Sequence, residues 1–233
     1  TAYPDIALLP KLAAALNTTV DALLGYSSVI TDYDNRYCTK EYYWGLVPNH
    51  ICYDIMKILP PIKSYRVLDI GCGEGKDAVF LAKCGYTVTA FDISEAGIEK
   101  AKELASQNKV NVNFFKADIF DYRPDTVFDI IFSSGVFHFI PPGERKEFCQ
   151  SLKEHTADDG INALNVFVKK PFISRAPDST QTEDKRHPWR SGELFGYYHD
   201  WLFHLCSENV FDCNSGGIPH KHCMDTLIAQ NYK

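Results

Sequence analysis

The residues of this chain whose types and spacing can do chemistry begin at Asp69, which closes the apolar run Val67, Leu68 and stands just ahead of Gly71, Cys72, Gly73, Glu74 and Gly75. Glycines at alternate positions let a backbone turn tightly after a strand and approach a ligand. A dinucleotide fingerprint wants its third glycine one place later, where this chain has Lys76. A carboxylate at the strand end also repels a pyrophosphate, whereas it favours a ligand that carries an ammonium and a sulfonium. The sign of the charge therefore selects S-adenosylmethionine over NAD. Asp92 lies 21 residues after Gly71, at the end of the next expected strand, and is placed with Ile93 to receive the ribose hydroxyls.

Further along, Asp118 in the run KADIF follows a third expected strand. Its carboxylate can accept an adenine amino group while Ile119 reads the ring edge through its backbone; capping the turn is its other reading. Ser133 and Ser134 close a fourth strand, at the crevice where a parallel sheet holds its ligand. Tyr37 and Trp44 are expected to cover the cofactor from the N-terminal side, with plain packing the alternative. His138 is the nearest candidate base, although displacement at a sulfonium requires mainly alignment and exclusion of water. Trp189 and Arg190, which end a long polar loop from Pro171 rich in Lys and Arg, are the leading candidates for substrate contact. His220 and His222 alternate along a strand and join them as acceptor contacts. Cys213 lies within reach across a turn, but the spacing matches no established zinc pattern and the expectation is no metal.

The elements that must position these groups follow from the pattern. Alternation of strand and helix runs through Val67–Ile70, Lys76–Cys84, Thr87–Phe91, Glu95–Asn108, Val112–Lys116 and Phe128–Ser133. A helix over 143–155 and a strand over 162–168 continue it, which builds a doubly wound α/β sheet. Ser191 is expected to cap a short helix containing Tyr197 and Tyr198. The runs Trp201–Cys206 and Cys223–Ala229, joined by a Gly-Gly turn, give a terminal antiparallel pair. Ahead of the sheet, residues 1–25 form a helical segment, 26–47 a linker that covers the cofactor, and 48–233 the main domain, whose first helix spans about 49–59 and stops at Pro60 and Pro61.

The 233 residues, with net charge −6, contain no stretch of the ~18 apolar residues that a membrane helix needs and no basic platform for nucleic acid. Eight cysteines without CxxC spacing read as reduced thiols, and the location expected is cytoplasmic.

The DxGxGxG loop, the second-strand acid and a sheet of seven strands with an antiparallel last strand resemble the Rossmann-like class I methyltransferases from about Tyr37 to the end. GYTVTAFD at 85–92, GELFGYYHDW at 192–201, YCTKEY from Tyr37 and the closing DTLIAQ are similar to segments of the tellurite-resistance methyltransferases. That resemblance implies S-adenosylmethionine as cofactor and methyl transfer to a small soft nucleophile, such as tellurite, selenite, another metalloid or a thiol. The string LLPKLAAALNTTVDALLG near the start resembles the closing helices of the Cro and C1 repressor-type helix-turn-helix domain. DNA is then a partner only if the rest of such a domain lies upstream. The alternatives are a regulator that senses S-adenosylmethionine and a methyltransferase for a macromolecular acceptor.

Overall fold

The computed structural model describes residues 8–15, 20, 32–173, 186–213 and 219–233. Two helices precede the sheet, α1 (Leu9–Ala15) and α2 (Asp32–Tyr37). The second falls inside the stretch expected to be linker and ends on Tyr37. Most of the second half of the helical segment expected over residues 1–25, the Gly-Gly turn and most of the polar loop after Pro171 lie outside the described residues.

From there the chain runs α3 (His50–Ile58), β1 (Arg66–Ile70), α4 (Lys76–Lys83), β2 (Thr87–Asp92), α5 (Glu95–Gln107), β3 (Val112–Lys116) and β4 (Phe128–Ser134). It continues through a 3-10 turn (Phe137–Phe139), α6 (Arg145–Glu154), β5 (Thr156–Phe167), α7 (Glu193–Tyr197), β6 (Leu202–Cys213) and β7 (His220–Gln230). The seven strands form one sheet in the order β3-β2-β1-β4-β5-β7-β6. The first five are parallel, while β7 inserts antiparallel between β5 and β6. The expected α/β sheet of seven strands with an antiparallel last strand is therefore the observed one. The order reverses at β1, where the chain leaves for β2 on one side and β4 on the other, and α/β sheets bind ligands at such a point.

Several boundaries moved. Strand β5 begins six residues before the expected 162, because Thr156 pairs with Phe128 and the ladder resumes after an irregularity that includes Asp159 at φ 59°. The terminal hairpin is also longer than its apolar runs, reaching Cys213 on one strand and His220 on the other. Polar residues beyond the apolar core continue the ladder because backbone hydrogen bonds need no apolar side chain. Ser191 does not cap α7: the N-cap is Gly192, whose N–H donates to Asp225 Oδ2 at 2.7 Å, and Tyr198 follows the helix as its C-cap.

Two cores flank the sheet. One buries Val67, Ile130, Ala163 and Ile228 under α3, α4 and α5; the other buries Leu68, Ile131, Val166 and Leu227 under α6, α7 and the 3-10 turn. This alternation along each strand gives every inward residue a fixed face. Among the described residues no helix is long and apolar enough to cross a membrane.

Candidate functional site

The glycine loop leaves β1 through Gly71 at φ 73° and Gly73 at φ 53°. Both conformations favour glycine, and both sites are also too close for a side chain. A Cβ on Gly71 would lie 2.2 Å from Val136 Cγ2, and one on Gly73 would lie 2.9 Å from the Tyr37 hydroxyl oxygen. The loop returns to β2 by N–H bonds from Gly71 and Cys72 to the Phe91 carbonyl, at 2.9 and 3.0 Å.

Asp69 is 1% exposed, and its Oδ2 has no hydrogen-bond partner among the described residues. Burial is the main cause that pushes its carboxyl well above the ordinary range; nearby Asp77 adds to the rise, Lys76 opposes it and Asp92 adds again. An orphaned buried carboxylate oxygen is costly unless something meets it. Asp92 is different in kind. Its Oδ2 accepts from Gly73 N at 2.8 Å and its Oδ1 from Ser94 N at 2.9 Å, so loop and strand end are locked together. Burial raises this carboxyl too, against the pull of those backbone N–H groups. Each oxygen keeps a second lone pair, enough for a pair of ribose hydroxyls.

A strap from the N-terminal side crosses this loop. The Ser94 hydroxyl donates to Asp34 Oδ1 at 2.5 Å; Lys100 Nζ donates to the carbonyls of Thr39 and Glu41 at 3.0 and 2.6 Å and pairs with Glu74 at 2.5 Å. Tyr37 is thereby held 4% exposed against Gly73 and Gly97, and its hydroxyl accepts from Trp44 Nε1 at 3.0 Å. Trp44 itself stays 44% exposed. Farther along, Asn49 N donates to Asp77 Oδ1 at 2.6 Å.

At the end of β4 the structure reveals partners that sequence reasoning missed. Ser134 Oγ accepts from Asn49 Nδ2 at 2.8 Å and from Asn165 Nδ2 at 3.0 Å, while Asn165 Oδ1 accepts from Gly135 N at 2.7 Å. The sequence signal was weak: a polar residue at the centre of an apolar strand, and an asparagine ahead of a helix. Ser133 faces the other way and donates to the Ile70 carbonyl at 2.8 Å. Asp118 makes the turn contact, accepting from Phe120 N at 3.0 Å with Ile119 between them. Ile93 follows Asp92 at the half-buried rim of β2.

The acceptor candidates are dispersed. Trp189 is 1% exposed inside the second core and donates from Nε1 to the Phe137 carbonyl at 2.9 Å, so its bulk supports the site from beneath. Arg190 is exposed on the surface and its N–H donates to Glu193 at 3.0 Å. His138 is 4% exposed, its ring 4.2 Å from that of Phe139 and 5.2 Å from that of Phe167. His220 and His222 stand together at the hairpin end, with His222 4.9 Å from the Phe167 ring. Cys213, expected within reach across the turn, joins them: one ligand atom from each of the three lies within 4.8 Å of the others.

The donor end thus offers a buried carboxylate unmet among the described residues for a cation, lone pairs for hydroxyls and a glycine loop crowded by Val136 and Tyr37. These features fit S-adenosylmethionine, which carries an ammonium, a sulfonium and a ribose.

Comparison with known proteins agrees. The family described as "Methyltransferase domain" matches residues 67–160. The chain is 28% identical over 197 residues to the probable S-adenosyl-L-methionine-dependent methyltransferase TehB of Haemophilus influenzae, covering 84% of this chain and 64% of that relative. The crystal structure of TehB from Haemophilus influenzae superposes with a TM-score of 0.68 at 26% identity, covering 85% of this chain and 65% of that one. Thiocyanate methyltransferase 1 of Brassica oleracea is 39% identical over 97 residues, 41% of this chain and 43% of that protein. The chain spans less than two thirds of the length of these relatives.

Proposed function

We propose that this chain, which carries a class I S-adenosylmethionine-dependent methyltransferase domain similar to TehB, transfers the methyl group to a small soft nucleophile. The acceptor class is a tellurium, selenium or other metalloid oxyanion, or a thiol. The observation that carries this reading is the polar inventory at the β4 and β5 ends: Ser134, Asn165, Asn49 and the Gly135 N–H are tied to one another by hydrogen bonds, while His138 is buried between aromatic rings. Such a rim aligns an acceptor without supplying a strong base. A nucleophile already anionic or readily polarised at neutral pH suits it, because displacement at a sulfonium then needs only alignment and exclusion of water.

When bound, S-adenosylmethionine supplies an electrophilic methyl whose sulfonium leaves as a neutral thioether. Asp69 and Asp92 anchor it; Gly71 and Gly73 let it approach. Tyr37 and Trp44 close over it from the strap, and Ser133 and Ser134 border its methionine part. Asp118 and Ile119 read the adenine edge. A cytoplasmic location agrees with cysteines that form no disulfide.

The test is turnover of labelled cofactor against tellurite, selenite, thiocyanate, arsenite and simple thiols, with volatile and soluble methyl products measured. Methylation of one or more of these is the expected outcome. Cofactor binding without transfer to any of them overturns the acceptor assignment.

A further inference from the structure

Cys213 and His220 are directly opposed across the antiparallel β6–β7 pair, and His222 is two residues on, opposite Phe211. Opposed residues share a sheet face, as do residues two apart, so the thiol and both imidazoles project to one side. All three are half-buried, and their ligand atoms lie within 4.8 Å of one another. The two Nε2 atoms are already 2.9 Å apart. At that distance one ring donates a proton to the lone pair of the other.

We propose that Cys213, His220 and His222 form a binding site for a thiophilic divalent cation, zinc in the first instance, with these three as its ligands among the described residues and the fourth position for an exogenous ligand. The donor set is the reason. A thiolate and two neutral imidazoles are soft to intermediate ligands that favour zinc over calcium or magnesium, and three protein ligands with a vacancy are the pattern of reactive rather than purely structural zinc. The geometry is close to what is needed. Bonds of about 2.0–2.3 Å place tetrahedral ligand atoms about 3.3–3.8 Å apart, between the histidine contact seen and the widest separation. On binding, the donating ring carries its proton on Nδ1 instead of Nε2 and stays neutral, each Nε2 gives a lone pair to the cation, and the Cys213 thiol gives its proton to solvent.

The site also has a direction. The His222 ring lies 4.9 Å from Phe167, and the Phe167 ring lies 5.2 Å from His138 beyond the end of β4. Phe167, opposite Met224 in β7, shares its face with His220, His222 and the Asn165 amide. The cluster is therefore on the acceptor side, and a small soft anion or thiolate is the ligand class for its open position; that last step rests on the proposed function, whereas the metal site does not.

Zinc added to the folded, chelator-treated protein is followed by competition with a chromophoric chelator, and cobalt by its thiolate charge-transfer absorption. The expected result is one equivalent of zinc held at least tenfold more tightly than by Cys213→Ala, His220→Ala or His222→Ala, with the cobalt band lost in Cys213→Ala. Cys206→Ala, an exposed cysteine on the same strand, serves as control and keeps both. Cofactor binding and melting temperature are measured on every variant. Zinc affinity equal in all variants, or no stoichiometric zinc in a protein that still binds cofactor, overturns the site. Failure of methyl transfer with zinc binding intact counts against the acceptor assignment alone.

Discussion

At the scale of single residues, the two site carboxylates divide the labour by their partners. Asp92 is held by two backbone N–H groups and ties the loop to the end of β2, while Asp69 brings an oxygen that no described residue meets. Asp92→Ala is expected to raise the cofactor dissociation constant by about 10-fold or more, the loss of hydrogen bonds to a charged acceptor at about 1.5–3 kcal/mol, read by calorimetry. Unchanged affinity would remove Asp92 from the site. Asp69→Asn keeps the shape but removes the charge. Weaker cofactor binding with no loss of melting temperature is the outcome expected, since the ionised group is costly to bury without its ligand. Both acids were legible in the sequence because they sit at strand ends beside a glycine loop. The Asn49, Ser134 and Asn165 cluster was not, since three residues 31 to 116 positions apart meet only through strand pairing and a helix start.

At the scale of elements, the segment after β4, α2, α5 and β3 crowd the glycine loop and leave no room for a side chain at Gly71, Gly73 or Gly75. Gly71→Ala puts a Cβ 2.2 Å from Val136 Cγ2 at φ 73°. A loss of about 1–3 kcal/mol in denaturant unfolding is expected, from left-handed strain plus overpacking, and Val136→Ala in the same chain is expected to restore part of it. A second element-level anchor joins α6 to α7. Arg145, buried in α6, donates from Nη1 to both carboxylate oxygens of Glu193 in α7 at 2.9 and 3.0 Å, from Nε to the Ile140 carbonyl at 3.1 Å and from Nη2 to the His187 carbonyl, and its guanidinium stacks 4.3 Å over the Trp189 ring. Replacing it by Met strands Glu193 and two carbonyls, and should cost about 3 kcal/mol of stability, visible as a lower denaturation midpoint. The helix pattern announced α6, but nothing in local sequence tied it to residues more than 40 positions ahead. The same limit explains Trp189. Next to a basic loop it read as a contact for substrate, and only the fold showed it buried beneath the 3-10 turn.

At the scale of the whole molecule, the acidic crevice should be felt in the pH dependence of stability. Asp69 and Asp92 both hold their protons to higher pH in the folded chain than in the unfolded one, chiefly because they are buried. Between the ordinary carboxylate range and those raised values the native state binds more protons, so stability falls as pH rises and levels off above them. A ligand cation beside Asp69 reverses part of this. The cofactor-induced rise in melting temperature is therefore expected to grow with pH across the same window, and Asp69→Asn should flatten it. A thermal-shift series with and without S-adenosylmethionine checks both slopes.

The sequence by itself determined the donor half of this protein. A strand, an acid, alternate glycines and a second acid are local patterns, and their spacing is fixed by backbone geometry whatever the rest of the chain does. It also fixed the sheet class, because alternating strand and helix periods leave few topologies. The tertiary structure decided how the groups proposed for the acceptor half come together. Strand β7 slots between β5 and β6, and that pairing sets Cys213 opposite His220 and lays His222 against Phe167, while the β4–β5 register sets Asn165 opposite Ser134. Cross-strand register is a long-range property. Cys213 and His220 meet because the hairpin continues past its apolar core, an extension paid by backbone hydrogen bonds to which side-chain periodicity is blind.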